Sequence, residues 1–197
     1  MSTVRYGLAL IIVIVMPPAL LFWVLIHPFV RCWRTVGPAW AYGLLGGLIA
    51  LVIVGLFLLR RPLLAVEFGT NYPLLVGGML CLAAAGWLRL RLHRHMGSSV
   101  LMGLPELAPE RHPTRLVTEG LYARMRHPRY VQVSLALLGY ALIANYLALY
   151  LVFALWLPAL SLIVRLEECE LRERFGPAYE EYCRRVPRFA PCWRRDP

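Results

Sequence analysis

The sequence predicts an all-α integral membrane protein of about five transmembrane helices, the last two a helical hairpin, with a cytosolic connector and amphipathic C-terminal helices. Three observations lead there. Of 197 residues, 59% are hydrophobic and only 16% charged, and the mean hydropathy of +0.60 is too high for an ordinary soluble domain. Charge-free runs long enough to cross a hydrocarbon core of about 30 Å recur along the chain. The cations are bunched between these runs.

Three runs come first, bounded by Arg5 and Arg31, Arg34 and Arg60, and Glu67 and Arg89. The first is longer than the apolar region of a signal peptide and no small-residue cleavage pattern follows it, so this helix is expected to stay. Its Pro17-Pro18 pair is expected to break the hydrogen-bond ladder in mid-membrane, with neighbours or water satisfying the freed carbonyls. The fourth run, Tyr130 to Val164, would make a helix of about 52 Å, too long for one crossing. It is read as a hairpin of Val131 to Ala144 and Leu147 to Val164. The turn is set at Asn145-Tyr146, because asparagine accepts turn geometry and is costly in plain lipid. Pro158 is expected to kink the second arm.

Apart from histidine, every basic residue is arginine. The blocks Arg89 to Arg129 and Arg165 to Arg195 are assigned to the cytosol with the Arg31/Arg34 loop, and the N-terminus and Arg60-Arg61 to the opposite side. A single crossing between the two blocks would put one of them outside; a hairpin keeps both inside. The net charge of +10 therefore reads as membrane orientation and affinity for anionic membrane lipids. Nucleic acid is not an expected partner, since no aromatic-interleaved soluble domain is present to read a base.

Five cysteines, odd in number and without CxxC spacing, read as reduced thiols with no zinc site. His93 and His95 lack a third ligand nearby and read as an interfacial pair. The chain is thus one membrane domain, with three N-terminal helices in 1–90, a cytosolic connector in 91–129, the hairpin in 130–164 and a cytosolic segment in 165–197. The sequence sets no oligomeric state.

The chemistry is expected in 114–191, where two polar segments flank the hairpin and would meet at its open end. The first ends in "LVTEGLYARMRHPRY" and the second is "RLEECELRERFGPAYEEYCRRVPRFAP". Alone, His127-Pro128 is explained as a helix start. Glu168 with Arg172 and Glu170 with Arg174 are explained as i,i+4 pairs on a solvated face. That account leaves Arg165 and Glu167 at the membrane boundary, where an unpartnered charge is expensive.

As ordered blocks with a hairpin between them, these segments resemble the isoprenylcysteine carboxyl methyltransferase family, with its LVT-x-G-x-Y-x-x-x-RHP-x-Y block, paired glutamates and FG-x-x-Y-x-x-Y-x-x-x-VP tail. The likeness runs from about Leu116 to Pro191. It implies an S-adenosyl-L-methionine site at the cytosolic end of the hairpin, open to lipid for an apolar or prenylated acceptor. By the same resemblance Leu116, Val117 and Tyr122 would line the cofactor pocket, His127, Pro128 and Tyr130 would continue it, and Glu167 with Glu168 would close it. Arg165 matches the position that faces the substrate. Such a cofactor needs an anion for its α-ammonium, which either glutamate supplies, and donors for its carboxylate near His127. Leu121 stands where this family often has proline, and Gln132 where glycine is common.

The implied activity is methyl transfer to a lipophilic acceptor, foremost carboxyl O-methylation of an isoprenylcysteine-like substrate. The alternatives are N- or S-methylation of a phospholipid or small molecule, an NADPH-dependent sterol-type reductase, whose C-terminal end "YCRRVPRFAP" also resembles, and a non-enzymatic membrane scaffold.

Overall fold

The computed structural model describes residues 2–26, 29, 33, 35–93 and 116–190. Seven α-helices lie in these residues: α1 (Ser2–Ile26), α2 (Pro38–Leu58), the short α3 (Arg60–Leu63), α4 (Tyr72–His93), α5 (Pro128–Ala144), α6 (Leu147–Phe175) and α7 (Pro177–Arg185), with a 3-10 turn at Gly120–Ala123. Among the described residues the one β feature is an isolated antiparallel bridge between Glu67 and Tyr146.

Four helices, α1, α2, α4 and α6, are long and apolar enough to cross a membrane. The chain is therefore an all-α membrane protein. α5, the first arm of the hairpin, has 17 residues, or roughly 26 Å, so it reaches membrane thickness only with help from its flanks. α1 packs against α5 and α6, where Ala9, Val13, Ala141, Ala144 and Leu149 form one buried cluster. α2 leans mainly on α1 and turns its other faces outward, with Leu51 and Leu58 each 69% exposed. Lipid accepts such leucines without cost, because its tails are as apolar as they are.

α4 and α5 approach most closely. A Cβ on Gly139 would lie 2.9 Å from the Gly78 carbonyl oxygen, and one on Gly78 would lie 2.8 Å from that of Gly139. Only a residue without a side chain permits this contact. α4 itself starts where Asn71 accepts a hydrogen bond from the Leu74 N–H at 3.1 Å, a side-chain cap on the first turn.

The hairpin turns where the sequence placed it. Asn145 sits in the left-handed region at φ 55°, ψ 48°, a conformation asparagine tolerates better than other side-chain-bearing residues. Its amide donates to the Gly69 carbonyl at 2.9 Å. Its side-chain oxygen accepts from the Tyr150 hydroxyl at 2.9 Å. The backbone continues the seam, with Phe68 N–H donating to Asn145 O and Leu147 N–H to Val66 O. Arg5 closes this end of the molecule. It is 4% exposed, pairs with Glu67 at 3.0 Å and donates to the Ala144 carbonyl at the end of α5.

Several boundaries depart from expectation. Arg5 is not an outer boundary marker but lies within α1, made affordable by Glu67. The third helix begins at Tyr72 rather than near Glu67, because residues 66–69 are occupied with the hairpin turn. α1 runs without a gap through Pro17 and Pro18. α6 continues past Val164 to Phe175, so Arg165, Glu167 and Glu168 ride on the membrane helix itself. The side chain of His93, all of His95, Cys32 and Cys192, and most of the connector lie outside the described residues.

Candidate active site at the open end of the hairpin

Opposite the Asn145 turn, the start of α5, the far end of α6 and the chain after α7 converge. His127 precedes Pro128, whose fixed φ and missing N–H suit the first helical position. α6 delivers Glu167 and Glu168 from the other arm. The tail folds back so that the Arg126 and His127 N–H groups donate to the Pro187 and Arg188 carbonyls at 2.8 and 3.0 Å.

Glu168 is fully buried. Its Oε1 lies 3.2 Å from His127 Nε2 and 3.0 Å from an Arg126 Nη. Arg188 grips both oxygens, Nε to Oε1 at 3.0 Å and Nη2 to Oε2 at 2.7 Å. Arg172 stands at 3.6 Å. The solvated i,i+4 pair expected for Glu168 is thereby corrected: Arg172 is the most distant of its cations, and the strongest come from the start of α5 and from the tail. The hydrogen bond from Arg188 to Glu168, and then the charge of that carboxylate, raise the pKa of the guanidinium.

Glu167, one residue earlier, is arranged differently. Its side chain is 31% exposed and its Oε2 lies 3.7 Å from His127 Nδ1, yet that oxygen is buried and has no hydrogen-bond partner among the described residues. A buried carboxylate oxygen left so costs free energy comparable to a lost hydrogen bond. Tyr122 feels the same carboxylate. Burial first, then the charge of Glu167, push its hydroxyl up to about 12, with Arg129 opposing.

The other expected residues fall into two groups. Pro128 is buried, and Tyr130 stacks near His127 with ring centres 5.8 Å apart and near Trp156 at 6.5 Å. Tyr122, Tyr130, His127, Pro128, Glu167 and Glu168 thus surround one region. Leu116 instead packs into a small core with Tyr179, Tyr182 and Val186, which holds the connector to α7. That core is tied in by the Tyr182 hydroxyl, which donates to the Tyr122 carbonyl at 2.7 Å. Val117 follows Leu116, half-buried. Arg165 is exposed, less than one helical turn before Glu168.

Sequence reasoning missed Arg126, Arg188 and Phe189. By sequence Arg126 reads with its neighbours as an orienting cation, but its side chain is 10% exposed and an Nη also contacts Cys183 Sγ at 2.6 Å. Phe189 covers His127 with ring centres 6.1 Å apart. The signal for the last two was present in "RVPRF", read only as a motif. Among the described residues no group of three or more His, Cys, Asp or Glu is placed to hold a metal ion.

Known proteins resemble part of this chain. The chain is 42% identical over 80 residues to the cobalt-zinc-cadmium resistance protein CzcN of Cupriavidus metallidurans, a stretch covering 39% of this chain and 35% of that one. It is 38% identical over 77 residues to the protein-S-isoprenylcysteine O-methyltransferase of Schizosaccharomyces pombe, covering 39% and 33%. The chain therefore spans about a third of the length of these curated relatives. No solved structure matches it. The family model described as phospholipid methyltransferase matches residues 74–178, from α4 through the hairpin and both glutamates into α7. That is just over half of the chain, which accordingly belongs to the phospholipid methyltransferase family.

Proposed function

We infer that the protein is an integral membrane methyltransferase that uses S-adenosyl-L-methionine and acts at the cytosolic end of its hairpin on a lipophilic acceptor, by carboxyl O-methylation of an isoprenylcysteine-like substrate. The observation that carries this reading is the orphaned Glu167 oxygen, buried beside His127. A buried carboxylate oxygen with no hydrogen-bond partner among the described residues calls for a cation with hydrogens to give, and the α-ammonium of the methyl donor is one. Family membership points the same way, and away from the NADPH reductase.

When bound, S-adenosyl-L-methionine supplies an electrophilic methyl group on a sulfonium. The chain's own residues account for the rest. Glu167 balances the ammonium, while Glu168, saturated by Arg126, Arg188 and His127, holds the imidazole in place. Tyr122 and Tyr130 offer ring faces to an adenine or a sulfonium, with Leu116 and Val117 as apolar wall. Arg165, exposed at the membrane boundary, holds an acceptor carboxylate in line. A carboxylate is already ionised at neutral pH, so it needs no general base, and the transfer gains from alignment and from exclusion of water.

The test uses the purified protein in vesicles, labelled S-adenosyl-L-methionine, and two acceptors presented separately, N-acetyl-S-farnesylcysteine and phosphatidylethanolamine. Base-labile methyl ester on the first supports the reading. Label only on the amine headgroup would replace it with N-methylation, and label on neither would remove it.

A further inference from the structure

Among the described residues the buried charge is densest where the tail meets α5 and α6, and neutralisation alone does not explain it. One carboxylate, Glu168, faces Arg126 and Arg188 within hydrogen-bond distance and Arg172 at 3.6 Å. Arg126, with a side chain only 10% exposed, already balances it. Arg188, 44% exposed, adds a bidentate grip. Such a fork fixes the plane of a carboxylate as well as its charge.

What that plane fixes in turn is His127. An ionised carboxylate only accepts, so the nitrogen facing Glu168, Nε2, carries a proton. Nδ1 is then turned toward Glu167. The same tail segment supplies Phe189 to one side of the imidazole and the two carbonyls that hold the Arg126 and His127 backbone.

We propose that Val186 to Phe189 is a latch on the site and that Arg188 is a positioning residue, which clamps Glu168 and so orients His127 toward Glu167 to form the subsite for the amino-acid end of the methyl donor. The proposal rests on the donor reading above. It assigns the tail a role in binding one half of the ligand, the ammonium and carboxylate, and none in binding the adenosine.

The test is calorimetric, on the full chain in detergent, with two probes. S-adenosylhomocysteine carries the amino-acid end, and 5′-methylthioadenosine lacks it. In Arg188→Ala, affinity for the first is expected to fall about tenfold or more, while that for the second changes less than about twofold. Arg188→Lys keeps the charge without the fork, is expected to recover little, and carries the same test if the alanine variant does not fold. Arg184→Ala, whose exposed side chain pairs with Glu181, is expected to match the wild type. Equal loss of both probes, or unchanged S-adenosylhomocysteine affinity, would overturn the latch. A wild-type chain that binds neither probe would instead overturn the donor reading, and the latch with it.

Discussion

Replacing Glu168 by glutamine keeps its volume and deletes its charge at a position of zero exposure. The cost follows from what is left behind. Arg188 and Arg172, with side chains 44% and 45% exposed, can swing into water and contribute little. Arg126, at 10%, cannot, and the new amide NH2 would face a guanidinium. Removing one partner of a buried pair costs about 3–5 kcal/mol, and rehydration of the outer cations places this case near about 3 kcal/mol. Against a typical stability of about 5–15 kcal/mol, that is large. Chemical denaturation of the detergent-solubilised protein measures it, with Glu167→Gln alongside. Glu167 is 31% exposed and 3.7 Å from the nearest basic nitrogen among the described residues, so its loss should cost under about 1 kcal/mol while S-adenosylhomocysteine affinity collapses. The pair of glutamates then separates into one that holds the site and one that holds the ligand. A Glu168→Gln protein as stable as wild type but unable to bind would refute this division.

Other consequences can be checked independently. Gly139→Ala puts a methyl 2.9 Å from the Gly78 carbonyl and 2.9 Å from Leu82 Cγ, so a loss of about 1–3 kcal/mol is expected by denaturation. Gly43→Ala on α2, with nothing within 4 Å, should be neutral or slightly stabilising; equal effects would mean that α4 and α5 do not approach as described. Arg165→Ala should lower turnover about 10- to 100-fold with S-adenosylhomocysteine affinity nearly intact, and steady-state kinetics paired with calorimetry would expose a binding defect instead. The folded chain holds the Tyr122 proton more tightly than the unfolded chain, about 12 against 10.0. Tyr122 therefore contributes stability that is complete below pH 10 and lost as pH rises toward 12. Tyr122→Phe should flatten that alkaline loss in a series of unfolding midpoints, and an unchanged slope would place the tyrosine elsewhere.

Much of this was legible in the sequence for simple reasons. A charge-free run too long for one crossing had to turn, and Asn145 was the residue in it suited to turning. Blocks on either side of a hairpin had to meet, which brought His127 to Glu167 and Glu168. What was not legible depends on chain that returns from a distance. Glu168 looked like half of a solvated pair because Arg172 is four residues away, whereas its real partners sit 42 residues before it and 20 after. Arg5 and Glu67 read as boundary markers because each was weighed alone; their pairing is set by the seam between residues 66–69 and the hairpin turn. The contact of Gly78 with Gly139 belongs to a helix crossing, and no spacing within either helix announces it. In α1 the proline pair suggested a break in mid-membrane, but the helix assignment runs from Ser2 to Ile26.

The most direct measurement is calorimetric titration of the purified chain with S-adenosylhomocysteine and, separately, NADPH, repeated on Glu167→Gln. The account predicts saturable binding of S-adenosylhomocysteine, none of NADPH, and loss of the first when Glu167 is neutralised. Binding of NADPH alone, or S-adenosylhomocysteine affinity untouched by Glu167→Gln, would contradict it.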